Sequence, residues 1–255
     1  MSGPRSVVSW LLALSAIFSI AGCGNFWPWS GPKKPKMPDP PAISAPAAAR
    51  QAWSIDLGPG GIGLVPAFAQ DSVFAANRKG IILRLDVTTG QERWRVDLGR
   101  KVVAGVGTDA RLVVVGLDDG GLVALDSDGK QKWSVTIGTQ AATVPAVGHG
   151  VVVVRTGDNR VQAFEADTGK RRWSFTRQNP SLVLHQSSGI TLTPSSAYVG
   201  LPGGRLVALD LASGAVRWEV AVAQPRGATE IERIADIVGT PMLRSGQVCA
   251  ANYNG

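Results

Sequence analysis

Five tryptophans recur at near-equal spacing and restrict what this chain can fold into. Trp53, Trp94, Trp133, Trp173 and Trp218 are separated by 41, 39, 40 and 45 residues. Four of them follow a glycine by four positions: Gly90, Gly129, Gly169 and Gly214. An acid stands ahead of each glycine, at Asp86, Asp126, Glu165 and Asp210. Before each acid runs a short apolar strand, such as Leu122 to Leu125 or Leu206 to Leu209. Each strand is entered through a tight turn: Lys79-Gly80, Gly120-Gly121, Asp158-Asn159 and Gly203-Gly204. Alternating strands joined by Gly-rich turns form antiparallel hairpins. A unit of about forty residues holds four strands, the size of one propeller blade. One such sheet cannot bury both faces alone, so copies must stack. The fold class expected is therefore all-β, a β-propeller of four-stranded antiparallel blades. Trp53, Trp94, Trp133, Trp173 and Trp218 are expected to fill the gaps between blades, because a ligand site would not recur in every unit. The acids are expected to accept turn hydrogen bonds while glycine supplies a positive-φ corner.

At the two ends of the repeat the pattern is incomplete. The Trp53 unit has a final strand but a proline-rich stretch in place of its first three, so that lone strand is expected to complete the last blade. The final residues, Ala251 to Gly255, align with the mid-blade turn Ala76 to Gly80. The sequence reads as four full blades, a half blade and one orphan strand, about four and a half in all, cut short at the C-terminal side.

Ahead of the repeat, Arg5 precedes an uncharged apolar run from Val7 to Ala21. Its length suits a signal h-region and is short for a membrane span. It ends in Ile20-Ala21-Gly22-Cys23, which resembles the bacterial lipobox. The resemblance implies cleavage after residue 22 and lipidation of Cys23. Gly24 instead of Asp implies the outer membrane rather than inner-membrane retention. Residues 23–50 then form a tether, since Pro32 to Pro41 favours extended conformations. Residues 51–255 form the propeller domain. The formal net charge of +7 is modest and spread among the blades, which disfavours nucleic acid as a partner.

The repeat is broken in one place. The distance from each Trp to the next hairpin turn is 27, 26 and 26 residues, then 31 and 37. Two consecutive blade-to-blade connectors are thus enlarged, and consecutive connectors lie on one face, where repeat proteins carry their binding surface. The first insertion holds Leu182, Leu184 and His185; the second runs from Arg226 to Pro241 and could form a short helix or an extended lip. Either they present contact surface, or they fold back with Leu and Ile as local plugs.

Together, the lipobox, the Trp repeat, Asn179 to His185 and the run Gly227-Ala228-Thr229-Glu230-Ile231-Glu232-Arg233-Ile234-Ala235-Asp236 with Thr240-Pro241 resemble the BamB family. These are propeller lipoproteins of the outer-membrane β-barrel assembly machinery. The resemblance implies an eight-bladed ring and a non-enzymatic scaffold that binds a periplasmic domain of BamA and joins its other subunits. It also implies nascent outer-membrane proteins as clients. The partner-binding positions it implies are Leu182, Leu184, His185, Arg233 and Asp236. Where the family has Arg and a second Asp, this chain has His185 and Val238, both of which remove charge.

A quinoprotein-type propeller enzyme, or a ligand-binding sensor propeller, is the alternative. Such enzymes need a bound quinone and usually a Ca²⁺ held by oxygen ligands. They resemble one another in a vicinal Cys-Cys pair, which two isolated cysteines, Cys23 and Cys249, cannot supply. With only two histidines, a zinc or copper site is not expected either, and neither is any cofactor. His149 sits in a Gly-His-Gly turn and should be solvated. Cys249 falls in the second strand of a blade and is expected to be a small core residue.

Overall fold

The computed structural model describes residues 50–178, 182–184, 188–229 and 231–253. The repeat units become four-stranded antiparallel sheets, each in simple meander order. The first blade comprises β1 (Ala67–Ala69), β2 (Ser72–Ala76), β3 (Ile81–Asp86) and β4 (Glu92–Asp97). The second comprises β5 (Val102–Thr108), β6 (Leu112–Leu117), β7 (Gly121–Asp126) and β8 (Gln131–Thr136). In the third are β9 (Ala146–Gly148), β10 (Val151–Arg155), β11 (Val161–Glu165) and β12 (Arg171–Phe175). In the fourth are β13 (Ile190–Leu192), β14 (Ser196–Leu201), β15 (Arg205–Asp210) and β16 (Val216–Ala221). Two further strands, β17 (Ile237–Arg244) and β18 (Gln247–Asn252), pair with each other.

The second strand of each blade reads as nearly unbroken apolar sequence because both of its faces are covered. In β10, Val151 and Val153 pack with Ala197, Val199 and Leu209 of the fourth blade. Their neighbours Val152 and Val154 pack with Leu112, Val114 and Leu122 of the second. The period of two thus sends alternate side chains into different seams. Each fully buried Val or Leu contributes about 1.5–3 kcal/mol, so the seams between blades dominate stability.

The tryptophans close these seams by one repeated device. The indole Nε1–H of Trp53, Trp94, Trp133 and Trp173 donates to the carbonyl of Val87, Ser127, Ala166 and Leu211 respectively, at 2.8–3.0 Å. Each ring lies flush on the turn glycine of the following blade. A Cβ at Gly90, Gly129, Gly169 or Gly214 would sit 2.6–3.1 Å from that ring, and all four have φ between +71° and +81°. Only glycine meets both demands. The residue before the Trp in the four complete blades, at Arg93, Lys132, Arg172 or Arg217, is a β-bulge where the register shifts. The bulge turns the indole toward the next sheet.

Three expectations from sequence meet a different arrangement. Trp218 finds no turn glycine of a following blade among the described residues; it is 39% exposed and rests against Tyr198, ring centroids 5.8 Å apart. The Trp53 segment docks on the first blade, yet residues 50–63 form no sheet pairs, so Trp53 packs as a last-strand Trp does without a strand around it. Cys249 is exposed on β18, not part of a core. Strand alternation reveals that a position faces outward from its sheet, but not whether a neighbour covers that face. Three of the four turn acids behave as expected: Asp86, Asp126 and Asp210 each accept two backbone N–H groups of their turn, while Glu165 accepts the Thr168 hydroxyl. His149 takes a turn φ of +52° and is exposed.

Candidate partner-binding rim

The connectors between blades cover 98–101, 137–145, 176–189 and 222–236, so the two enlarged ones are consecutive. Both lean over the hairpin end that joins β14 to β15. Gly200 has no room for a side chain, because Ile237 and Ser188 fill the place of its Cβ at 2.4 and 2.5 Å. Gly189 is likewise pressed against Thr240, and Gly204 against the carbonyls of Ala223 and Ala235. The two insertions therefore meet on one glycine-rich hairpin instead of extending separately into solvent.

Asp236 fastens them. Its Oδ2 accepts the backbone N–H of Leu184, from the first connector, at 2.7 Å. Its Oδ1 accepts the N–H of Gly203, from the hairpin, at 2.9 Å. Asp236 is only 4% exposed. The resemblance had implied an acid facing a partner; the structure turns this carboxylate inward, because the buried N–H groups of the hairpin and the first connector need an acceptor. Arg155, the last residue of β10, approaches from the other side. Its Nη1 donates to the Gly200 carbonyl at 2.5 Å, and it too is only 4% exposed. Burial pushes the guanidinium down to about 10, and the charge of Asp236 opposes that shift.

Leu182 is 41% exposed and Leu184 half-buried. Val183, Leu184, Val238 and Thr240 line a cleft of about 980 Å³ together with Ile62, Val65 and Val103. The second connector, read from sequence as a short helix or an extended lip, makes a single turn, with Arg233 N–H bonded to the Thr229 carbonyl. Thr229 and Glu232 bond reciprocally, the Thr hydroxyl accepting the Glu232 N–H and the Glu carboxylate accepting the N–H groups of Thr229 and Ala228. Those backbone bonds, Thr229 first, hold the Glu232 carboxyl below its ordinary range. Arg233 Nε donates to the Gly227 carbonyl, bracing the same turn. Ile231 on this turn is exposed. Cys23 and His185 lie outside the described residues.

The profile of the family described as outer membrane protein assembly factor BamB matches residues 42–103 and 78–255. An assembly factor BamB of Bordetella pertussis is 36% identical over 245 residues, 96% of this chain. The chain belongs to the BamB family. A BamB of Burkholderia pseudomallei is 39% identical over 81% of the chain. The chain spans 63% and 55% of the length of these two relatives. The crystal structure of BamB from Moraxella catarrhalis superposes with a TM-score of 0.67 at 25% identity, covering 75% of this chain and 62% of that one. A quinohemoprotein alcohol dehydrogenase from Pseudomonas putida shares the fold at 19% identity, with a TM-score of 0.55 over 80% of this chain and 40% of that one.

Sequence reasoning missed Arg155, Gly200 and Gly203 as parts of the rim. The available signal was Arg155 itself, a charge closing an otherwise all-valine strand.

Proposed function

We propose that the chain is a non-enzymatic scaffold subunit of the machinery that assembles β-barrels in the outer membrane. Residues 1–22 direct export, Cys23 carries the lipid, and residues 23–50 tether the propeller on the periplasmic side of the outer membrane. More than one acyl chain makes such anchoring durable. The rim of the two long connectors receives a periplasmic domain of BamA, and the propeller orients that machine while nascent barrels fold.

The observation that carries this reading is the rim itself. In a chain of the BamB family, the two longest of these connectors, 176–189 and 222–236, are consecutive and are bonded to each other through Asp236. They present Leu182 in the open and Leu184 at a cleft. A preorganised apolar rim loses little entropy on docking, which favours affinity. Leu182, Leu184, His185 and Arg233 supply the contacting face, and Asp236 acts from beneath it.

The double variant Leu182→Ala, Leu184→Ala tests this directly. It should lose co-purification with BamA from detergent-solubilised envelopes while its unfolding free energy falls by no more than about 1–2 kcal/mol, Leu182 being exposed and Leu184 half-buried. Undiminished recovery of BamA in the double variant would refute the assignment of the rim. Quinone-dependent dye reduction by the purified chain would favour the dehydrogenase-like alternative instead.

A further inference from the structure

We infer that Arg155 is a positioning residue for the rim, acting through Asp236 to fix the backbone at Leu184; the inference rests on the rim being the partner-binding surface. Arg155 lies at the end of β10 in the third blade and makes no hydrogen bond to the second connector among the described residues. Its guanidinium reaches across the seam to the Gly200 carbonyl at 2.5 Å. Three residues on, the same hairpin donates Gly203 N–H to Asp236. The other oxygen of Asp236 holds Leu184 N–H. A cation from the third blade and an acid from the second connector thus bracket one glycine-rich hairpin, and the first connector hangs from the acid.

Packing alone does not require this arrangement. Two buried charges are costly to desolvate, and apolar side chains of equal volume commonly replace them without loss. Arg155 Nε finds no acceptor among the described residues, which adds to the cost. What the pair supplies is a single geometry. The Arg155 bond to the Gly200 carbonyl fixes the hairpin whose Gly203 N–H Asp236 accepts, so the acid meets both of its N–H donors in one geometry. Removing the guanidinium frees the Gly200 carbonyl, loosens the hairpin that offers Gly203 N–H to Asp236, and with it the hold of Asp236 on Leu184 N–H. Arg155 also lines the cleft beside Val183 and Leu184, so that release occurs at the cleft wall.

The test uses the full chain as Arg155→Met, Arg155→Lys, Asp236→Asn and the double variant Arg155→Met, Asp236→Asn. Two quantities are read: hydrogen exchange at the Leu184 and Gly203 amides, and affinity for the BamA periplasmic domain. Arg155→Met should speed exchange at both amides about tenfold and weaken binding by a similar factor, with the amides of Val153 and Val199 unchanged. Arg155→Lys, which keeps the charge, should restore most of the protection. The double variant should be no worse than the worse single one, the mark of coupled partners. A Leu184 amide as protected in Arg155→Met as in the parent overturns the inference. A freed Leu184 amide with undiminished affinity supports the latch but overturns the assignment of BamA to this rim. If Arg155→Met does not fold, recovery of folding in the double variant supports the pairing. Failure of the double variant while Asp236→Asn alone folds overturns it.

Discussion

Each seam indole makes one hydrogen bond and one face contact with glycine, and the difference between Trp133 and Trp218 isolates what that is worth. Trp133 is 7% exposed, donates to the Ala166 carbonyl and covers Gly169. Trp218 has the same sequence context but no glycine to cover among the described residues. Trp133→Ala should therefore cost about 3–5 kcal/mol, the range for deleting a buried aromatic. Trp218→Ala should cost about 1 kcal/mol or less, as at half-open positions. Urea unfolding of the two variants measures both, and equal costs would show that the indoles do not act through the seams. The repeat made Trp and Gly legible in sequence because the same contact is written four times. Asp236 was legible only as a position: a loop sequence does not disclose that the loop folds back over a hairpin and consumes its own carboxylate. Arg155 occurs once, on a strand otherwise made of valine, and nothing periodic marks it. Cys249 was misplaced for the reason Trp218 was, since both depend on a neighbouring sheet and not on their own strand.

At the scale of the element, the turn between the third and fourth strands is a small electrostatic unit. In the fourth blade Asp210 accepts the N–H groups of Ala212 and Ser213, and the bulge residue Arg217 returns to bind Asp210 Oδ2 at 2.6 Å. Arg217 first, then these backbone and hydroxyl donors of Ser213, hold the carboxyl at about 2 instead of its ordinary 3.8. In the first blade Arg93 does the same for Asp86, which is pushed still further down. A carboxyl depressed on folding stabilises the fold above its unfolded value, and that contribution disappears as pH falls through the folded value. The window for Asp210 is therefore from about pH 4 down to about pH 2. Replacing Arg217 by Met should flatten the loss of stability across that window while leaving its shape above pH 5 unchanged. Acid titration of the unfolding midpoint checks this, and a slope identical to the parent's would mean that the ion pair is fully screened by solvent, as exposed pairs often are. In the first and fourth blades the bulge thus has two tasks, turning the indole inward and placing a cation over the turn acid. The sequence showed both residues but not the register shift that joins them.

Across the whole molecule, stability follows from which sheets are covered on both faces. In stacked repeats each unit contacts only its neighbours, so local stability is close to a sum of intrinsic and interface contributions. β6 and β10 are buried along their entire length, with alternate residues in two different cores. The β17–β18 pair is anchored on one side only: Ile237 and Pro241 are buried against the fourth blade, while Met242 is 65% exposed and Leu243 lies open. The rim is built at this boundary, since Asp236 immediately precedes β17 and Tyr253 N–H returns to the Asp236 carbonyl just after β18. Amide exchange should rank accordingly, slowest in β6 and β10 and fastest in β18. Cys249, exposed on β18, should react with a thiol reagent under native conditions at a rate unrelated to global unfolding. Binding of the partner domain to the rim should then slow exchange in β17 and β18 more than in β10. If β18 exchanges as slowly as β10 in the free chain, the fifth sheet is as firmly held as the complete blades, and the rim owes its shape to that sheet instead of to the latch at Asp236.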